Sequence, residues 1–160
     1  MSVQTFLTIG ALALLAFTSL RFNEIALENT TVEVENKVYL TAFSLADDLI
    51  EEIKQKAFDA ATVSFPTTNP KSLTPYYSLG PSSTEKYPYY NDVDDFNNLT
   101  REVDAPHVEN YSVSCKVFYV DGDNPSTKTN YQTFYKKVEV TVSSEYMRGD
   151  IKLSFIFTLK

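Results

Sequence analysis

The chain has 160 residues, so it has room for one small domain and an extension rather than two independent cores. Its formal net charge is −7 and its single cysteine is Cys115, which excludes an intrachain disulfide and a thiolate metal site. With no lysine cluster on an acidic chain, a nucleic-acid partner and an anionic membrane surface are both disfavoured. Aromatic residues make up 14% of the chain, all Phe or Tyr, a composition suited to strands, aromatic loops and contact surfaces.

Met1 to Leu20 contains no charged side chain. The run through Phe6, Leu7, Ile9, Gly10, Leu12, Leu14, Leu15, Phe17 and Leu20 is apolar on every face of a helix, and such a helix needs lipid or protein around it. Twenty residues at about 1.5 Å each give about 30 Å, the thickness of a bilayer's hydrocarbon core. Three readings are open. A cleaved secretory signal lacks its basic start and has only Ala11-Leu12-Ala13 as a poor cleavage site. A plain membrane anchor would place Arg21 on the exported side, against the usual charge bias. The third takes Met1 as the first residue of a mature chain whose basic leader has been removed.

Between Arg21 and Pro66 there is neither Pro nor Gly, so nothing forces a helix to end. Val38, Ala42, Leu45, Ala46, Leu49, Ile53, Ala57 and Ala60 recur at steps of three and four, with acidic and basic residues on the other faces, predicting an amphipathic helix near 36–61. Glu52 and Lys56 stand in the supportive i, i+4 order. The intervening Asn29-Thr30-Thr31-Val32-Glu33-Val34 is poor in helix formers, which predicts a hinge: a bend, a frayed turn or an extended piece.

Residues 66–106 are punctuated by prolines and carry Tyr76, Tyr77, Tyr87, Tyr89 and Tyr90, predicting an irregular loop region. Those tyrosines either seal the loop onto the domain or line a ligand or subunit contact. Beyond Pro106, alternation predicts three strands. Tyr111 to Tyr119 forms the first, Tyr131 to Ser144 the second with Val138, Val140 and Val142 on one face, and Ile151 to Lys160 the last with Lys152, Ser154, Thr158 and Lys160 on its polar face. Asp121-Gly122-Asp123-Asn124 and Met147-Arg148-Gly149-Asp150 read as the turns between them. The fold class is therefore α+β: a long N-terminal helix, apolar then amphipathic, packed on a C-terminal antiparallel sheet of three or slightly more strands. The expected divisions are an apolar helix over 1–28, hinge and amphipathic helix over 29–65, loop over 66–106 and sheet over 107–160, with 29–160 forming one head.

This order of elements over the whole chain resembles the type IV pilins and their pseudopilin relatives. The resemblance implies a subunit inserted in the inner membrane, processed at its N-terminus (here Met1) by a prepilin peptidase, and polymerised by pilus or secretion machinery into an extracellular homo-oligomeric helical filament. Its core would be the apolar helix, with Thr8, Gly10 and the alanines at 11, 13 and 16 allowing close approach. Adhesion, motility or DNA uptake would be downstream uses. The position where many bacterial members carry a glutamate is Thr5, or Phe6 if Met1 is lost. A minor pseudopilin or tip subunit, and a monomeric membrane-anchored binding module, are the alternatives.

For chemistry, Asp92, Asp94, Asp95 and Asn97 concentrate oxygen ligands suited to calcium, the one candidate cofactor, against the alternative of a solvated acidic turn. Asn29, Asn98 and Asn110 each begin an N-glycosylation triplet. Arg148-Gly149-Asp150 is read as a turn before an adhesion motif. His107 is the sole histidine and Cys115 falls on an apolar strand face, so no catalytic constellation can be named and the chain is expected not to be an enzyme.

Overall fold

The computed structural model describes residues 2–106 and 108–159. Met1, His107 and the last lysine of the polar strand face, Lys160, lie outside the described residues. The chain divides into two compact units, Met1–Lys37 and Val38–Lys160. One helix, α1, spans Val3–Lys54. It is long and apolar enough to cross a membrane, by length and composition, a property shared by membrane anchors and signal sequences.

In the first unit, residues 29–34 are helical, where a hinge was expected. The helix absorbs its poor formers by satisfying them locally. Thr30 and Thr31 donate their hydroxyls to the carbonyls of Ala26 and Leu27 at 2.9 and 3.0 Å, and Lys37 pairs with Glu33 one turn back.

The second unit packs the C-terminal stretch of α1 on a four-stranded antiparallel sheet of order β1-β2-β3-β4: Thr100–Ala105, Val108–Tyr119, Tyr135–Ser143 and Ile151–Thr158. β1 extends the expected meander by one edge strand, paired so that Arg101 faces Val113 and Val103 faces Tyr111. Three of its six residues are charged (Arg101, Glu102, Asp104) and Pro106 follows it, a composition that hides a strand and suits an edge. The inner faces of β2 and β3 meet in register, Val113 with Val142, Cys115 with Val140, Val117 with Val138. On them lie Val38, Ala42, Ala46, Leu49, Ile50 and Ile53, all buried. The stripe of small residues at 42 and 46 lets the helix approach the sheet, and the larger Leu49 and Ile53 fill the space beyond.

The helix stops at Lys54 rather than continuing to residue 61. Gln55 and Lys56 donate to the carbonyls of Glu52 and Ile53, tightening the last turn. The chain then pairs Ala57 with Asp92 in an isolated parallel bridge and buries Phe58 and Asp59. Lys56 thus leaves the helix, and Glu52 instead accepts a hydrogen bond from the Tyr87 hydroxyl.

Leu49 is fully buried whereas Phe43 is 48% exposed. Leu49→Ala should therefore cost about 2–5 kcal/mol and Phe43→Ala within about 0.5 kcal/mol in chemical denaturation. Equal losses would contradict the helix orientation.

Candidate functional site: an apolar helix surface and a buried ammonium centre

Two features stand apart from ordinary packing, one in each unit. In the first, none of the side chains from Val3 to Val34 is buried, and the large apolar ones are open: Phe6 is 76% exposed and Leu14 68%. Leu7, Ile9, Leu12, Leu15, Phe17 and Leu20 are exposed likewise, and a side chain at Gly10 would meet nothing within 4 Å. The hydroxyls along this surface are turned inward to the helix. Thr8 donates to the Thr5 carbonyl and Thr18 to those of Leu14 and Leu15. Such self-satisfaction removes the penalty of placing them in a dry environment.

In the second unit, the inward face of β3 begins with a lysine. Lys136 has no exposed surface, and its ammonium donates to the Phe58 carbonyl at 2.7 Å, to Asp59 Oδ2 at 2.8 Å and to Asp94 Oδ1 at 2.6 Å. It lies 4.6 Å from the centre of the Phe58 ring and 5.4 Å from that of Tyr119, so aromatic walls complete the site. Three donors meet three acceptors, which is the condition for tolerating a buried cation.

The acceptors are held by their own partners. Asp59 takes bonds from the Ala61 amide, the Thr74 amide and hydroxyl, and the Tyr119 hydroxyl. Burial alone would raise its carboxyl, but Lys136 and these bonds outweigh it and hold Asp59 below the usual range. Asp94 opens a short 3-10 turn over residues 94–96, and Asp92 lies two residues before it. Burial, and then the neighbouring Asp94 carboxylate, push Asp92 up to about 8. Burial, and then the Asp59 and Asp94 carboxylates, also push the Tyr119 hydroxyl upward.

Each of the four residues expected as calcium ligands has one side-chain oxygen on a protein donor. Asp92 Oδ1 accepts from the amides of Asp94 and Asp95, and Asp95 Oδ2 from those of Asn91 and Asp92. Asp94 faces Lys136, and Asn97 bridges the Val117 amide and the Leu79 carbonyl. Among the described residues, no group of three or more His, Cys, Asp or Glu is arranged to hold a metal ion. The lysine ammonium is one cation that this acidic turn holds, through Asp94. The turn is also buried rather than solvated, with Asp92, Asp94 and Asp95 all inaccessible.

Asn29, Asn98 and Asn110 are exposed. Asn29 sits within α1, and Asn98 and Asn110 both take left-handed backbone angles, φ 63° and 60°. The tyrosines divide. Tyr87 and Tyr90 pack edge-on with each other and with Phe96, whereas Tyr76, Tyr77 and Tyr89 are exposed. Tyr87 also lies under the Arg101 guanidinium, linking β1 to Glu52. Arg148-Gly149-Asp150 lies between β3 and β4, its first two amides held by the Tyr39 hydroxyl. Cys115 is buried, which pushes its thiol up to about 12 and leaves it unreactive.

The chain matches no family model, no curated protein and no solved structure. What stands is the architecture: one long N-terminal apolar helix packed, through its C-terminal stretch, on an antiparallel sheet, an arrangement that is pilin-like.

Removing the cation should be severe, because two carboxylates would remain buried. Lys136→Met is expected to cost about 3–5 kcal/mol in chemical denaturation, with part recovered in Lys136→Met/Asp94→Asn; a loss under about 1 kcal/mol would contradict the centre. Asp95 supplies a pH test. Burial raises its carboxyl in the folded state, so the folded protein binds a proton more tightly than the unfolded chain. The resulting penalty is absent at pH values below the unfolded carboxyl's own range, and grows as pH rises through it toward the raised folded value. Asp95→Asn keeps an acceptor for both amides and should raise the melting temperature by a few degrees, about 2–4 °C, at pH 7 and not at pH 3.

Proposed function

We propose that this protein is the structural subunit of an extracellular, type IV pilus-like filament, held in the membrane before assembly and polymerised through its N-terminal apolar helix. The observation that carries this reading is the exposed charge-free surface from Val3 to Leu20, apolar all round and without a partner surface in its own unit. A surface of this kind is stable only against lipid or other helices. The self-bonded threonines and open Gly10 suit close helix packing in a dry core. The Val38–Lys160 unit would then form the filament's outer surface, with the exposed Tyr76, Tyr77 and Tyr89 available for contacts between subunits or with a target. The role is one of assembly rather than turnover of a substrate.

Electron microscopy of filaments sheared from cells producing the chain, with mass spectrometry of the subunit's N-terminus, tests this. Helical filaments with the apolar helices at their centre are the expected result. A chain confined to the membrane fraction with no filaments would overturn the proposal in favour of a membrane-anchored binding module. A charge on the core surface, Leu14→Lys, should reduce filament yield about a hundredfold while leaving the second unit folded.

A further inference from the structure

The Lys136 centre brings together the parts of a condensation reaction. An amine with no exposed surface lies 2.6 Å from one carboxylate oxygen, 2.8 Å from a second carboxylate, and against two aromatic rings. A third carboxyl, Asp92, lies beside Asp94 and is buried with it. Excluding water removes the solvent that would hydrolyse an amide. Holding the two groups in fixed contact supplies an effective concentration that free solutes never reach.

We propose that Lys136 and Asp94 condense to a side-chain amide, an isopeptide cross-link between β3 and the acidic turn, in a single-turnover reaction of the chain on itself. Asp59 takes one proton from the ammonium, and the freed Nζ lone pair attacks Asp94 Cγ. The C–N bond forms as a C–O bond of the Asp94 carboxyl breaks. The departing oxygen takes back the proton held by Asp59 and a second proton from the nitrogen, and leaves as water. One ammonium and one carboxylate become one amide and one water, with no change of net charge and no outside reactant.

The partners decide which carboxyl reacts. Asp59 is held as a carboxylate by the Ala61 and Thr74 amides and the Thr74 and Tyr119 hydroxyls, which disfavours nucleophilic attack on its carbon, while its contact with the ammonium makes it the group placed to receive the proton. Asp94 presents its Oδ1 to Lys136 at 2.6 Å, which places its carboxyl carbon next to the attacking nitrogen.

The bond is independent of whether the chain polymerises, and its test separates the two. Intact-mass measurement of the full chain, purified in detergent, should give the sequence mass less one water. Fragmentation should identify a branched peptide joining the Lys136 and Asp94 segments. Lys136→Met should show the full sequence mass, and Asp59→Asn should form the link at least about a hundredfold more slowly. A wild-type mass equal to the sequence mass would overturn the proposal. So would water loss without a branched peptide, the mark of an aspartyl succinimide, or a branch at Asp59 in place of Asp94. The wild-type measurement decides even if a variant fails to fold.

Discussion

The second unit is organised around a charge that cannot reach water. Lys136 stands at the head of the inward row of β3, and the strand's alternation leaves its ammonium nowhere to go but the core. An uncompensated ammonium there would cost several kcal/mol, so the chain must deliver acceptors to it. It does so from two irregular segments: residues 57–59 after the helix and 92–94 in the acidic turn. These are laced to each other by the Ala57 amide to the Asn91 carbonyl and the Val93 amide to the Ala57 carbonyl. Helix exit, loop and sheet are therefore fixed by one group. The same demand explains why α1 ends at Lys54, since continuing it would carry Phe58 and Asp59 away from Lys136.

The first unit obeys the opposite logic. Its helix buries nothing within the chain and satisfies its own hydroxyls, so its stability comes from whatever surrounds it. In the second unit the apolar stripe from Val38 to Ile53 is matched to a sheet. One helix thus carries two kinds of surface, and the change from one to the other near Lys37 coincides with the boundary between the units. The proposed filament role would need this division, because the part that polymerises would have to remain unsatisfied until it met other copies.

Much of this was legible from residue pattern. The helix stripe at 38, 42, 46, 49 and 53, the alternation of β2, β3 and β4 and the turn at 147–150 all follow from periodicity, which reports burial directly. Signals that depend on partners distant in sequence were not legible. The hinge expected at 29–34 rested on intrinsic propensity, which backbone-directed threonine bonds and an ion pair override. The acidic run at 92–97 was read only as a set of oxygen ligands, because sequence shows oxygens without showing that Lys136 and backbone amides face them. Lys136 was accessible in principle: extending the alternation of Val138, Val140 and Val142 two residues back places it inward. Its identity as a lysine, commonly exposed, argued against that step. β1 was obscured because an edge strand needs little apolar character.

A buried ion centre is a poor device for stability alone, since apolar side chains of similar volume often serve as well. What it supplies beyond stability is direction. Its hydrogen bonds specify one arrangement of three segments where apolar packing would allow several. The residues that specify it also crowd an amine against a carboxyl in a dry, aromatic-walled space. Amide formation there would convert that directional preference into a covalent constraint closing the 42-residue separation between Asp94 and Lys136. Closing a long loop removes freedom from the unfolded chain rather than adding contacts to the folded one. The gain would therefore be felt most when the domain is partly opened and least in the resting structure.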